Sequence, residues 1–119
     1  MDVQLKRAYE PPARSDGYRV LIDRLWPRGV SKENAQLDEW AHDLAPSSAL
    51  RRWFGHDPAR FEEFRRRYLA ELMAQEEKLR ELRRLARDGT LTLVYGARDS
   101  EHNDAVVLAD LLRRGRRAR

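Results

Sequence analysis

Gly17-Tyr18-Arg19-Val20-Leu21-Ile22-Asp23-Arg24-Leu25-Trp26-Pro27-Arg28-Gly29 is the stretch whose reading decides the fold. Val20 to Ile22 reads as a buried strand. Two β-branched residues flank a leucine, Asp16-Gly17 opens the run and Pro27 closes it, and the run is too short for a helix. Charged residues crowd its exit, where Asp23, Arg24 and Arg28 follow the apolar run directly. In open parallel sheets ligands settle beyond the carboxyl ends of the strands, so this exit is the first place to look for a site.

Working outward, Val3 to Tyr9 alternates apolar and polar residues and reads as a half-exposed strand at or near an edge. Glu10-Pro11-Pro12 ends it, and Gly17 can supply the positive φ of a tight turn. Beyond Gly29, Ser31 is a good N-cap, and Ala35, Leu37, Trp40, Ala41 and Leu44 form a rough helical stripe that stops at Pro46. Ser47 or Ser48 caps a short helix bearing Leu50, Trp53 and Phe54, with Gly55 at its C-terminal end. Asp57-Pro58 is the strongest helix start in the chain. From there a helical pattern runs without Pro or Gly to Gly89. As one helix it would be about 46 Å long at 1.5 Å per residue, too long for a domain whose radius of gyration should be about 13 to 14 Å. The stripe thins across Ala74 to Lys78, so a break is expected there.

Thr90 to Tyr95 is a strand bounded by Gly89 and Gly96, and Gly96-Ala97-Arg98-Asp99-Ser100 is its exit loop. Asp99 or Ser100 should cap a last helix carrying Ala105, Val106, Leu108, Ala109, Leu111 and Leu112, ended by Gly115. Strands separated by helices imply right-handed parallel crossovers, so the strands ending near Asp23 and Tyr95 should open at the same edge. The expected architecture is a small three-layer α/β domain: a short, mostly parallel sheet of about three strands flanked by helices. Residues 1–112 form the domain and 113–119 a basic tail.

Composition narrows the function. The chain has 119 residues, no cysteine and 41% hydrophobic residues, which excludes disulfides, thiolate zinc sites and cysteine nucleophiles. No run approaches the length of a membrane span and no signal-peptide core is present, so a cytoplasmic protein is expected. The net charge is +4 and the pI about 9.8. Five of the arginines, Arg113, Arg114, Arg116, Arg117 and Arg119, sit in the last seven residues, and without them the chain carries 19 basic against 20 acidic residues. The basic character is therefore local, and a solvated tail is favoured over a nucleic-acid arm.

Tyr18 to Lys32, Leu37-Asp38-Glu39-Trp40, Leu44-Ala45-Pro46-Ser47, Trp53-Phe54-Gly55-His56-Asp57-Pro58 and Tyr95 to Asn103 resemble the corresponding segments of the YeaO-like bacterial proteins, the domain-of-unknown-function family numbered 488. The resemblance runs from about Val3 to Leu112. It implies a small bacterial α/β protein with a parallel sheet, and no activity.

The candidate site follows from the two strand exits. Asp23, Arg24, Trp26 and Arg28 should face Tyr95, Arg98, Asp99 and Asn103 across the sheet edge, next to the N-terminus of the last helix. Arginines that can fork onto a phosphate or carboxylate, beside free helix amides, point to a small anionic ligand, and Trp26 or Trp53 could stack on a flat base. A structural ion-pair network, with Asp23 paired to Arg24 or Arg98 and Asp99 as an N-cap, uses the same residues without a ligand. His102, titratable near neutral pH, is the candidate for acid–base catalysis. His56 reads as a turn residue and His42 as solvent-facing. No Walker loop, dinucleotide fingerprint or nucleophile elbow is present, and the histidine spacings make no metal site. No cofactor is expected. An enzyme, a nucleic-acid-associated module using the arginine tail and a protein-interaction module all remain compatible with the sequence.

Overall fold

The computed structural model describes residues 1–114. Its centre is a four-stranded, wholly parallel sheet in the order β1-β4-β2-β3, with β1 Asp2–Arg7, β2 Tyr18–Leu21, β3 Glu39–Trp40 and β4 Thr90–Tyr95. The helices are α1 Lys32–Ala35, α2 Ser48–Phe54, α3 Phe61–Leu72, α4 Glu76–Asp88 and α5 Asp104–Arg114. The Cα radius of gyration is 13.5 Å.

Period-two alternation assigns the faces. Val20 and Ile22 of the second strand region lie with Leu91, Leu93 and Tyr95 of β4 on one side, against α3, α4 and α5. The helices reach this face with Phe64, Tyr68, Leu72, Leu82, Leu108 and Leu112, each at most 2% exposed. Leu21 and Val94 point the other way with Ala8, under Trp26 and Leu37. That second face is covered by a loop and the single turn of α1 rather than by a long helix. Its polar residues are internally satisfied: the buried Arg19 donates to the Asp16 carboxylate at 2.6 Å and to the Ala35 carbonyl at 2.8 Å, and Thr92 donates to the Asp16 carbonyl at 2.6 Å. Burial alone would raise the Asp16 carboxyl. The Ala13 amide, Lys6 and Arg19 outweigh it and hold the group below the usual carboxylate range.

Gly17 sits at φ +63°, and a Cβ there would lie 2.2 Å from the Thr90 carbonyl oxygen. Only glycine lets the chain enter β2 this close to β4.

The strand count corrects the expected three. The stripe from Ala35 to Leu44 is not one helix: Ser31 caps α1 through the Asn34 amide, but Gln36 turns left-handed at φ 45° and stops it. The chain then pairs with the open edge of β2, where Asp38 N–H donates to Arg19 O at 2.9 Å and Ala41 N–H to Leu21 O at 2.8 Å. A vacant sheet edge and the buried Arg19 side chain, which takes the Ala35 and Gln36 carbonyls, outweigh a weak helical stripe.

Elsewhere the local signals decide. Ser47 caps α2 through the Leu50 amide and Gly55 closes it at φ +54°. Asp57-Pro58 starts a 3₁₀ turn that leads into α3, and the long pattern breaks at Met73–Gln75 before α4. The last helix begins later than expected, at Asp104, with Asn103 accepting from the Val106 amide at 2.9 Å. Arg113 belongs to α5, donating to the Val3 carbonyl at 2.7 Å. Arg114 ends α5, and the predicted stop at Gly115 and the tail beyond it lie outside the described residues.

Candidate functional site

β2 and β4 are neighbours and parallel, so their carboxyl ends open together. The strand exits are tied across this edge by the Gly96 N–H, which donates to Asp23 Oδ2 at 2.8 Å. Beyond it lies a cavity of about 340 Å³, at the small end of the range for ligand pockets. Its apolar walls include Leu25, Pro27, Pro46, Phe54 and Phe64, and its polar lining comprises Asp23, Arg24, Arg28, Arg51, His56, Asn103 and Asp104, with Tyr9 at the edge.

The acidic end is a pair. Asp23 follows β2 and Asp104 opens α5, and their carboxyls hydrogen-bond to each other. Burial pushes Asp104 well above the usual carboxylate range, reinforced by the charge of Asp23 and by their hydrogen bond. Burial also raises Asp23, and the bond from Asp104, the Gly96 amide and the nearby His56 offset only part of that rise. The consistent assignment is a shared proton carried on Asp104 and donated to an ionised Asp23.

The cationic end is made of arginines. Among the described residues Arg24, Arg28 and Arg51 form no ion pair, in contrast to Arg65 and Arg67 on α3, which pair with Asp110 and Glu63 at 3.3 and 2.7 Å. Arg24 is steadied by one bond from Nε to the Pro46 carbonyl at 3.3 Å. His56 reaches the cavity because Gly55 and His56 are both left-handed, at φ 54° and 58°, a conformation uncommon for a non-glycine residue.

Of the sequence-derived candidates, Asp23, Arg24, Arg28 and Asn103 line the cavity. Asn103 is the cap of α5, its Nδ2 donating to the Asp99 carbonyl at 2.8 Å and its Oδ1 accepting from Val106. The other candidates lie elsewhere. Trp26 donates from Nε1 to the Val30 carbonyl at 2.6 Å and meets Trp40 edge-on at 5.5 Å, on the opposite side of the sheet from Phe54 and Phe64. Tyr95 is buried in the main core, Arg98 is exposed outside the cavity lining, and Trp53 lies between Arg60 and Arg67. Asp99 builds a turn by accepting from the amides of Glu101 at 2.9 Å and His102 at 3.1 Å. His102 turns back to the same carboxylate at 2.9 Å and packs edge-on against Phe61 at 5.1 Å, away from the cavity. Asp104 and Arg51 do not stand out in the sequence and His56 reads as a turn residue, yet all three line the cavity. Asp104 carried one usable signal, a carboxylate directly ahead of the apolar run Ala105 to Ala109.

The comparisons meet this geometry at the family level. The DUF488-N3i family model, described as the inactive DUF488-N3 subclade, matches residues 2–118. The chain belongs to this YeaO-like DUF488 family. It is 46% identical over 113 residues to the uncharacterized protein YeaO of Escherichia coli (strain K12), covering 95% of this chain and 98% of that one. It is 43% identical over 110 residues to the uncharacterized protein Rv3073c of Mycobacterium tuberculosis (strain ATCC 25618 / H37Rv), covering 92% of each. No solved structure gives a significant match. For this DUF488 chain the quoted segments fall on the β2 exit, the start of β3, the turns around α2 and the β4 exit, and all but the start of β3 contribute to the cavity lining. Among the described residues no helix is long and apolar enough to cross a membrane.

Proposed function

We propose that this DUF488 chain binds a small ligand bearing a phosphate or carboxylate in the cavity at the β2–β4 exit. The observation that carries the reading is the convergence of Arg24, Arg28 and Arg51, none of them ion-paired among the described residues, on one cavity with apolar walls. A guanidinium offers planar, paired donors that match an oxyanion. The anion belongs at this rim and not at the start of α5, whose first turn already receives Asn103 and the Asp104 carboxyl.

Binding without turnover is the form of the proposal. Among the described residues the cavity lining holds no serine, threonine, cysteine or lysine, and His102, the acid–base candidate, faces Asp99 and Phe61 instead. The word inactive in the description of the matching family model agrees with a retained pocket that has no catalytic task.

The test is a thermal-shift and calorimetric screen of phosphate, sugar phosphates, nucleotides and dicarboxylates on the full chain and on Arg24→Ala/Arg28→Ala. A ligand at 100 times its Kd stabilises the fold by about 2.7 kcal/mol, on the order of 10 °C in Tm for a domain of this size. The double variant should keep its unliganded Tm within about 5 °C, since Arg28 is exposed and the half-buried Arg24 gives up one bond, to the Pro46 carbonyl, worth about 1 kcal/mol, and lose the response. Anions that bind the variant as well as the parent, or no anion that binds the parent, would overturn the proposal.

A further inference from the structure

The acidic end of the cavity is the part that anion binding leaves unused. A second anionic group there would face ionised Asp23. A ligand ammonium would favour ionising Asp104 as well, leaving two half-buried carboxylates side by side. Among the described residues no group of three or more His, Cys, Asp or Glu side chains is placed to hold a metal ion. A hydroxyl fits as the pair stands: it donates to Asp23, whose other partners are the Gly96 amide and Asp104, and needs no change of protonation. A carboxylate beyond a parallel strand is well suited to a sugar diol.

Resting on the anion reading above, we propose that the ligand is a phosphorylated sugar of the ribose phosphate class, its phosphate held by Arg24 and Arg28 and its adjacent hydroxyls read by the Asp23–Asp104 pair. Phe54 and Phe64 supply apolar wall for the carbon face of the ring. The volume of about 340 Å³ suits one sugar ring with its phosphate better than a dinucleotide.

The experiment measures Kd by calorimetry for ribose 5-phosphate, n-butyl phosphate and phosphoethanolamine, with the full chain and with Asp104→Leu and Asp104→Asn. Butyl phosphate has the anion and an apolar body without hydroxyls, and phosphoethanolamine replaces hydroxyl by ammonium. Ribose 5-phosphate should bind at least about tenfold tighter than either, the effect of one good hydrogen bond to a charged group. Asp104→Leu should erase that margin while butyl phosphate binding stays. Asp104→Asn, whose amide N–H replaces the shared proton, should retain the margin, which also covers failure of the leucine variant to fold. Equal Kd values for ribose 5-phosphate and butyl phosphate overturn the hydroxyl reading and leave the anion site standing. Tightest binding of phosphoethanolamine makes the pair an ammonium site and likewise overturns it. If none of the three binds, the anion site falls with it.

Discussion

Replacing Asp104 by asparagine should stabilise the protein at neutral pH, and the gain should grow with pH. Asp104 is half-buried in the cavity wall, its carboxyl is raised well above the ordinary range by loss of solvation first and by Asp23 second, and it is bonded to Asp23. In the unfolded chain the same group titrates near pH 3.9. Between that value and its raised native value the folded state holds a proton that the unfolded state has released. Stability then falls as pH rises, by up to about 1.4 kcal/mol per pH unit for one proton. Asparagine fills the same volume, offers an N–H to Asp23 and does not titrate, so this slope disappears. Urea denaturation of both proteins between pH 4 and 8 should give a difference, variant minus parent, that starts near zero and climbs at up to that slope. It flattens once pH passes the native value. Carboxylates held low, such as Asp16, act in the opposite direction, but they are common to both proteins and cancel. The competing effect is the dipole of α5, which favours a negative charge in its first turn by roughly 0.3–1 kcal/mol. If Asp104 were ionised and serving that dipole, the difference would fall with pH, and a falling or flat difference refutes the shared-proton assignment.

Three further outcomes follow from the same geometry. Gly17→Ala should cost more than about 3 kcal/mol, combining a backbone conformation worth roughly 1–3 kcal/mol of strain with a Cβ 2.2 Å from the Thr90 carbonyl oxygen; chemical denaturation reads it, and a loss under 1 kcal/mol would contradict the packing of β2 on β4. Arg19→Met should lose on the order of 1–3 kcal/mol, because the Ala35 carbonyl loses its donor while Asp16 keeps Lys6 at 3.1 Å and the Ala13 amide at 2.9 Å. Because Asp16 is held low, the lost support is the part present above its unfolded value, so the parent should lose more stability than the variant on acidification toward pH 3. His102→Ala should leave ligand affinity unchanged within twofold and lower stability by about 1 kcal/mol, from the lost Asp99 bond and the Phe61 contact; a tenfold loss of affinity would return His102 to the site.

What the sequence disclosed and what it concealed divide along a physical line. Signals that act within one turn of chain were readable: Ser31, Ser47 and Asp57 each cap where their side chains predict, and β4 is as β-rich and glycine-bounded as a buried central strand should be. The parallel pairing of β2 with β4 followed from the helices between them, and with it the edge that holds the cavity. β3 was concealed because its stability comes from elsewhere. Two residues of weak pattern become a strand only because β2 offers an open edge and Arg19 gathers the carbonyls that a longer α1 would have used.

The same reasoning explains the site. Asp23, Arg24 and Arg28 were legible because they follow a strand directly, whereas Arg51 and His56 come from α2 and the turn after it, whose approach to the strand exits is set by tertiary packing. Asp104 is hard to see in the sequence because Asp99 or Ser100 reads as the cap of the last helix, about one turn before its actual start. That shift assigned the capping role to Asp99 and the open edge to His102. In the folded chain Asp99 and His102 satisfy each other, Asn103 takes the cap, and Asp104 is left ahead of the apolar run Ala105 to Ala109, facing another carboxyl. A half-buried acid pair stabilises a domain poorly, and apolar replacement of charged groups held away from water is often neutral or favourable. A chain that holds Asp23 against Asp104 beside three arginines free of ion pairs among the described residues spends stability at the one place where the sheet geometry puts a ligand, which is the pattern expected of a binding site rather than of a structural ion-pair network.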